Sequence, residues 1–372
     1  MSDQERVSTA SGATWFIIAG GVLLFGLVML GSATAPIGAE RFGSAYYFLI
    51  RQICFGLIPG AILFFLFRKV PITFWERNWK IMLAISVGLL ALVWIPTLAL
   101  RINGSRSWVH LFGISMQPAE FVKFTFIIFL AGWLAEHRRL FAGSFENGLL
   151  KYLVYVAVIC GMLLLQPDVG TMLVFFGTAA VMAFIGGAQI KHLGILATAG
   201  VVVLCIMIAV APYRLQRITV IFNPDSDPLG SGYHIKQALT AVGSGGFLGK
   251  GLGNSRQKFQ YLPEVSADSI FAIIAEEMGF ILSSELIVAY LVLVLKGMQL
   301  ARATRSEWAK FFMIGTVTWI GIQTFFNIGA MLAVLPLTGL PLPLVSHGGS
   351  SLMVTLAAFG VISAILLPPK RI

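Results

Sequence analysis

Charge is what this sequence lacks most. Only 11% of its 372 residues are Asp, Glu, Lys or Arg, against 58% hydrophobic, where a soluble domain carries about 25% charged residues. So few charges cannot cover a water-facing surface, which excludes an ordinary soluble enzyme and makes the bilayer the solvent that stabilises the fold. Cysteine is nearly absent too. Cys54, Cys160 and Cys205 are scattered through apolar stretches, which excludes a disulfide framework and a cysteine metal cluster. Histidine is sparse, with five residues, and no second His or Cys stands at ligand spacing from His347, so no metal centre is expected. Acidic residues are the scarcer sign: 16 Asp and Glu against 26 Lys and Arg leave a net charge of +10. No basic run has the length of a nucleic-acid arm, so the excess is read as loop-borne cations that orient helices, and no nucleic-acid partner is expected. The first apolar run has no small-residue cleavage site and is read as a retained first helix.

What is present is a series of apolar runs of spanning length, at 13–34, 47–67, 78–99, 119–136, 150–166, 170–188, 192–212, 269–296, 309–335 and 345–367. Each is near or above the roughly 17–25 residues needed to cross ~30 Å of hydrocarbon. The fifth and sixth are separated only by Pro167-Asp168-Val169, which requires a tight hairpin. The expected fold is all-α: a polytopic membrane protein of about ten transmembrane helices, forming a single domain over 1–372, with one long extracytoplasmic loop at 212–268. No internal repeat of the kind that marks secondary transporters is visible.

Orientation follows from the basic residues. With the N-terminus inside, the inner side receives Arg6, Arg68, Lys69, Arg77, Lys80, Arg138, Arg139, Lys151, Lys191, Lys296, Arg302, Arg305, Lys310, Lys370 and Arg371. The short loops opposite keep Arg41, Arg101 and Arg106, with Arg51 near a helix mouth. The positive-inside rule therefore puts both termini in the cytoplasm. The segment from Pro212 to Asp268 is forced outside by the spans on either flank. It contains a helix-like piece at Ile235–Val242 and is the sole sizeable polar region, so chemistry should centre there.

Ionisable residues at membrane depth are costly and mark function by default. Glu120, Lys123 and Asp168 fall at outer span ends; Glu276, Glu277 and Glu285 fall in the span that follows the long loop, and Glu285 has no evident role. Lys123 and Asp168, opposite in charge at similar depth, are expected to form an ion pair, either a lock for the bundle or a support for a site. The run Gly243–Gly253 fails the phosphate-loop pattern, since Lys250 is followed by Gly251. Its flexible backbone beside Lys250, Arg256 and Lys258 suits either an anion-binding nest or a plain mobile loop. Asp268 stands where a span begins, as an ordinary helix cap would, and Glu264 supplies the second carboxylate that glycosyl chemistry commonly uses. Ser115–Glu120 and Pro341–Ser351 open two further spans with Pro, small residues and hydroxyls. Each suits helix entrance and close packing.

Together these stretches resemble the SEDS family (shape, elongation, division and sporulation proteins). The matching pieces are Asn103-Gly104-Ser105-Arg106 with Trp108, Gln117–Lys123, Gln166–Thr171, Gly243–Gly253 and Pro341–Ser351. The piece Gly253–Lys258 followed by Tyr261-Leu262-Pro263-Glu264 is similar to the division-type branch rather than the elongation-type one. The resemblance implies a glycosyltransferase that polymerises lipid II on the outer face of the cytoplasmic membrane at the septum. It also implies partnership with a class B penicillin-binding transpeptidase and other divisome membrane proteins. The family's proposed catalytic Asp matches Asp268, a general base for the attacking sugar hydroxyl. Lys250, Arg256 and Lys258 become candidates for the pyrophosphate, with Glu264, Ser346 and His347 as further substrate contacts. No resident cofactor is implied, and a divalent cation is left open. The chain departs from the family at Ser266 and Ser269, where His and Phe are usual, and at His347, where Tyr is common. Two rival readings stand beside the polymerase: a lipid II flippase, which needs a polar path between leaflets, and a non-catalytic divisome scaffold.

Overall fold

The computed structural model describes residues 3–102, 105–111, 114–143, 145–189 and 213–366, with residues 194, 198 and 200. Helix α1 spans Asp3–Phe42. Helix α2, Tyr47–Gln52, continues through a π-helical turn, Ile53–Leu57, into α3, Ile58–Lys69. Val70 is extended ahead of Pro71, and α4 follows at Ile72–Ala91, as the residue before a proline is steered out of the helical region. Helix α5 is Pro118–Gly143, α6 is Lys151–Leu165 and α7 is Val169–Gly186. The sharp α6–α7 hairpin is the one expected at Pro167-Asp168-Val169. Asp168 caps α7 by accepting from the Thr171 N–H at 3.1 Å, satisfying a donor that a helix start leaves orphaned.

Two shorter helices, α8 (Tyr213–Phe222) and α9 (Ser231–Gly245), occupy the long polar segment. Helix α10 (Ile270–Ala303), α11 (Glu307–Met331) and α12 (Gly349–Leu366) complete the bundle. Nine spans are long and apolar enough to cross a membrane among the described residues; the one expected at 192–212 lies outside them except for residues 194, 198 and 200. Helices α5, α11 and α12 form the inner group, with 89% of the apolar window of Pro118–Arg138 buried against 17% for Tyr47–Lys69. Helix α11 packs on α5, α7 and α10, and α12 packs on α3.

Among the described residues the all-α architecture has one exception. The apolar run expected to stay helical to 99 ends its helix at Trp94, and a three-stranded antiparallel sheet connects α4 to α5. Its strands are β1 (Ala99–Ile102), β2 (Ser105–Leu111) and β3 (Ile114–Met116), with Leu100 opposite Trp108 and Val109 opposite Met116. Buried Gln166 ties the sheet's edge of the bundle together: its Nε2 donates to Leu90 O at 3.0 Å, while its own main-chain carbonyl accepts from Ser107 Oγ at 3.3 Å.

Helix α10 is interrupted at Gly279 (φ 72°, ψ −174°), and the glycine-rich loop explains why. Two rungs of the helical ladder, from Phe280 and Ile281 back to Glu276 and Glu277, are replaced by bonds to the loop. Phe280 N–H donates to Gly246 O at 2.8 Å and Ile281 N–H to Phe247 O at 3.2 Å. In return Glu276 O accepts from Lys250 N–H at 3.0 Å and Glu277 O from Gly251 N–H at 2.9 Å. Insertion of a foreign group into the ladder is a recognised cause of a kink. Both partners must be glycine where the backbones meet: a Cβ on Gly279 would stand 2.2 Å from Gly249 N, and one on Gly249 2.2 Å from Glu277 O.

Candidate active site

Asp268 sits at the entrance of α10, two residues before Ile270, and is 9% exposed. Three elements fix its backbone. Asn327 on α11 donates through Nδ2 to Asp268 O and to Leu340 O, each at 2.8 Å. The His347 N–H donates to Ser266 O at 2.8 Å. The Ser346 hydroxyl donates to Ala267 O and accepts from Leu342 N–H at 2.7 Å. Gln52 closes the ring from the other side, donating to Ser346 O at 3.2 Å and accepting from Gly348 N–H at 2.9 Å. The segments 264–269 and 341–348 are thus stapled to each other by one main-chain bond, from His347, and one side-chain bond, from Ser346.

The carboxylate itself is poorly supplied. Among the described residues its side-chain donor is the Ser269 hydroxyl, at 3.4 Å. Burial therefore pushes the Asp268 carboxyl up to about 7, helped by the charge of Glu264 and opposed by weaker hydrogen bonds and by Arg217. A carboxylate that titrates near neutrality is equipped to take a proton from a hydroxyl. Glu264 is exposed in a left-handed turn (φ 50°). His234, on α9, places Nε2 2.6 Å from Ser269 Oγ, and burial together with Arg217 pulls its pKa down to about 4. His347 is half-buried, meets the Phe48 ring edge to face at 5.3 Å, and is likewise pulled to about 4, by burial and then by Arg51. Ser346 is 5% exposed with its hydroxyl committed to the staple. Its place is positional rather than the substrate contact expected of it.

The expected cation cluster is redistributed. Lys250 Nζ lies 2.6 Å from Glu276 Oε1, and Lys258 Nζ lies 2.8 Å from Glu277 Oε1 with both side chains of the second pair buried. The backbone nest is filled as well: the N–H groups of Arg256 and Gln257 point at Glu276, at 3.1 and 3.2 Å, and that of Ser255 at Glu277, at 3.3 Å. The anion in the nest is the protein's own pair of carboxylates, so Lys250 and Lys258 are not free cations for a pyrophosphate. Arg256 remains exposed on the loop. Arg217 and Arg51, not among the sequence candidates, are the cations whose fields reach Asp268 and His347.

The expected Lys123–Asp168 bridge does not form. Lys123 pairs with Glu120, one turn back on α5, at 2.7 Å, donates to Gln323 Oε1 at 2.7 Å, and lies over the Trp319 ring at 5.1 Å. Asp168 accepts from Gln117 Nε2 at 2.9 Å. Gln117 stands at the start of α5, while Lys123 is about 9 Å further along the axis at 1.5 Å per residue. Depth decides the pairing. Lys123 still acts on Asp168 through space, but burial outweighs it and raises the Asp168 carboxyl above its ordinary value. Glu285 is exposed on α10, apart from these clusters. Among the described residues no three His, Cys, Asp or Glu side chains converge as a metal site.

Residues 13–369 match the family model described as cell cycle protein, FtsW/RodA/SpoVE. The chain is 41% identical to stage V sporulation protein E of Bacillus subtilis over 344 residues, covering 92% of this chain and 93% of that protein. It is 40% identical to the probable peptidoglycan glycosyltransferase FtsW of Nitrosococcus halophilus, covering 93% and 90%. Its fold is similar to a chain from a peptidoglycan synthase complex that coordinates polymerisation and crosslinking, with a TM-score of 0.77, 28% identity, and 95% and 96% of the two chains covered. It is also similar to the rod shape determining protein RodA of Thermus thermophilus, with a TM-score of 0.67, 26% identity and 95% of each chain covered.

Proposed function

The chain belongs to the FtsW/RodA/SpoVE family of cell cycle proteins, and from that membership we propose that it is a peptidoglycan glycosyltransferase that polymerises lipid II during cell division. It is a multi-pass protein of the cytoplasmic membrane, a single domain over its length, with both termini in the cytoplasm and the 212–268 segment outside. The distribution of Lys and Arg supports that orientation. It works at the septum beside a class B penicillin-binding transpeptidase and other divisome membrane proteins.

One observation carries the mechanism: Asp268 is a buried, sparsely hydrogen-bonded carboxylate titrating at about 7 on a backbone held from three sides. It takes the proton of the acceptor sugar hydroxyl as that oxygen attacks the anomeric carbon. The bond from that carbon to the lipid pyrophosphate breaks, and the electron pair leaves with the phosphate. Arg217, whose field reaches Asp268, and exposed Arg256 stabilise the leaving anion. Glu264 and His347 line the approach, and Ser346 holds the loop.

Asp268→Asn tests this. Asn keeps the shape and most of the capping ability of Asp, so a mere cap would leave turnover unchanged, whereas loss of a general base costs ~10²–10⁴ in rate. Purified protein given lipid II in detergent, with and without its transpeptidase, should polymerise glycan, and Asp268→Asn should bind lipid II without polymerising it. Near-normal turnover by Asp268→Asn would refute the assignment and direct attention to Glu264.

A further inference from the structure

A base that takes a proton at every turnover must also lose it, and Asp268 is enclosed. Among the described residues its carboxylate has one side chain within hydrogen-bonding reach, Ser269, whose Oγ lies 3.4 Å from Oδ1. Ser269 is fully buried and by itself leads nowhere. It is joined, however, to His234 on α9, whose Nε2 stands 2.6 Å from the same Oγ. His234 is half-buried, and its other ring nitrogen has no partner among the described residues. We propose that Ser269 and His234 form a proton relay that carries the acceptor's proton from Asp268 to water. The proposal rests on Asp268 being the base.

The chemistry balances with the groups present. The acceptor hydroxyl gives its proton to the Asp268 carboxylate as the new glycosidic bond forms and pyrophosphate departs. The Asp268 O–H then donates to Ser269 Oγ while the Ser269 proton passes to His234 Nε2. The imidazole releases its Nδ1 proton to water, and a turn of the ring with solvent exchange restores the Nδ1–H tautomer, so that over one cycle one proton moves from sugar to solvent. The hydroxyl has three acceptors within reach: His234 Nε2 in its Nδ1–H tautomer at 2.6 Å, Pro263 O at 2.7 Å and Asp268 Oδ1 at 3.4 Å. A rotation of one O–H bond therefore switches the relay between its resting and transferring arrangements. The charged groups facing the relay are Asp268 and Glu264 on the loop and Arg217 on α8. Burial and Arg217 keep the imidazole neutral, so it accepts a proton only in transit and does not retain it. The orienting bonds from Asn327 and Ser346 go to main-chain carbonyls, and neither side chain competes for the proton.

The test is lipid II polymerisation by purified His234→Ala and His234→Gln in weak buffer, with Asp268→Asn measured beside them. The expected result is a kcat reduced roughly tenfold in both His234 variants, less than the ~10²–10⁴ of a general base, with KM for lipid II unchanged. Added imidazole should restore His234→Ala, where it fits the vacated space. It should not restore His234→Gln, which keeps a hydrogen bond to Ser269 but cannot shuttle, nor Asp268→Asn. Full activity of His234→Gln would overturn the relay and leave His234 as a structural contact, even if His234→Ala fails to fold. Indifference of a folded His234→Ala to imidazole would overturn it equally. Should Asp268→Asn polymerise at the unmodified rate, the base assignment falls first and the relay with it.

Discussion

Replacing Lys258 with Met should be the most destabilising loss of a charge in the loop that precedes Asp268. Met retains most of the apolar stem and removes the ammonium, leaving Glu277, which has no exposed surface, without its cation. Removing one partner of a buried pair costs about 3–5 kcal/mol because the other charge stays buried and uncompensated. Glu277 would keep the Ser32 hydroxyl at 2.6 Å and the Ser255 N–H at 3.3 Å, which places the expected loss near ~3 kcal/mol, the lower end of that range. At about 2 °C per kcal/mol for a chain of this size, the melting temperature in detergent should fall by roughly 6 °C. Lys258→Met combined with Glu277→Gln should recover most of the loss, since no orphaned charge remains. Lys236→Met, whose partner Asp225 is 80% exposed, should do almost nothing. Melting curves of the four proteins decide the matter. A Lys258→Met protein that melts with the unmodified one, or a double variant no better than the single, would refute the view of this pair as a buried latch.

Two further outcomes follow from the same geometry. Asp268 has a folded-state pKa of about 7, above its unfolded value of 3.8, so its contribution to stability is fully present below pH ~4 and is lost as pH rises through about 7. Asp268→Asn should therefore melt higher than the unmodified protein at pH 8, and the difference should vanish near pH 4. Polymerisation, which needs the ionised base, should rise across the same upper limb of pH. Gly279→Ala must place a Cβ 2.2 Å from Gly249 N on a left-handed backbone. It should cost upward of ~2 kcal/mol and free the 246–253 amides to faster hydrogen exchange; unchanged exchange there would contradict the inserted-loop description of α10.

The spans are legible in the sequence because apolar runs of fixed length report directly on bilayer thickness. The α6–α7 hairpin is legible because Pro167 and Asp168 interrupt such runs with turn and cap chemistry. The sheet at Ala99–Met116 is not: Ile95 to Ile102 is as apolar as a helix end, and only the pairing with Ser105–Leu111 makes it a strand. Matching charge and depth pairs Lys123 with the wrong acid, because the nearer partner is Glu120, three residues earlier on the same helix. The destinations of Lys250 and Lys258 are hidden for another reason. Glu276 and Glu277 lie 26 and 19 residues downstream across an irregular loop, where no helical or strand period relates the positions. Gln52, Gln323 and Asn327 carry a weak signal, being uncharged polar residues inside spans, where such groups commonly bond other helices. His234 carries none, since its partner is a serine in a different segment.

The buried carboxylates near the start of α10 are of two kinds, one well supplied with donors and one not. Glu277 lies nine residues after Asp268 and is at least as buried. It receives the Lys258 ammonium at 2.8 Å, the Ser32 hydroxyl at 2.6 Å and the Ser255 N–H at 3.3 Å. Glu276 receives the Lys250 ammonium, the Ser255 hydroxyl and two backbone N–H groups. Charges supplied in this way have their lone pairs occupied, and they hold the glycine loop to the helix without being available to a substrate. Around Asp268 the donors go elsewhere. Asn327 and the His347 N–H bond the carbonyls of residues 268 and 266, and Ser346 bonds that of 267. The peptide is fixed while the side chain is left with its own N–H and one long side-chain contact, to Ser269. Burial with few hydrogen bonds disfavours the charged form, which suits Asp268 to the general-base role proposed for it. A cap or a structural acid has no use for such an arrangement, because every missing donor weakens it. The sparsely supplied acid stands at one end of the bundle, beside the long polar segment. Placement and deprivation together point to proton abstraction at that face.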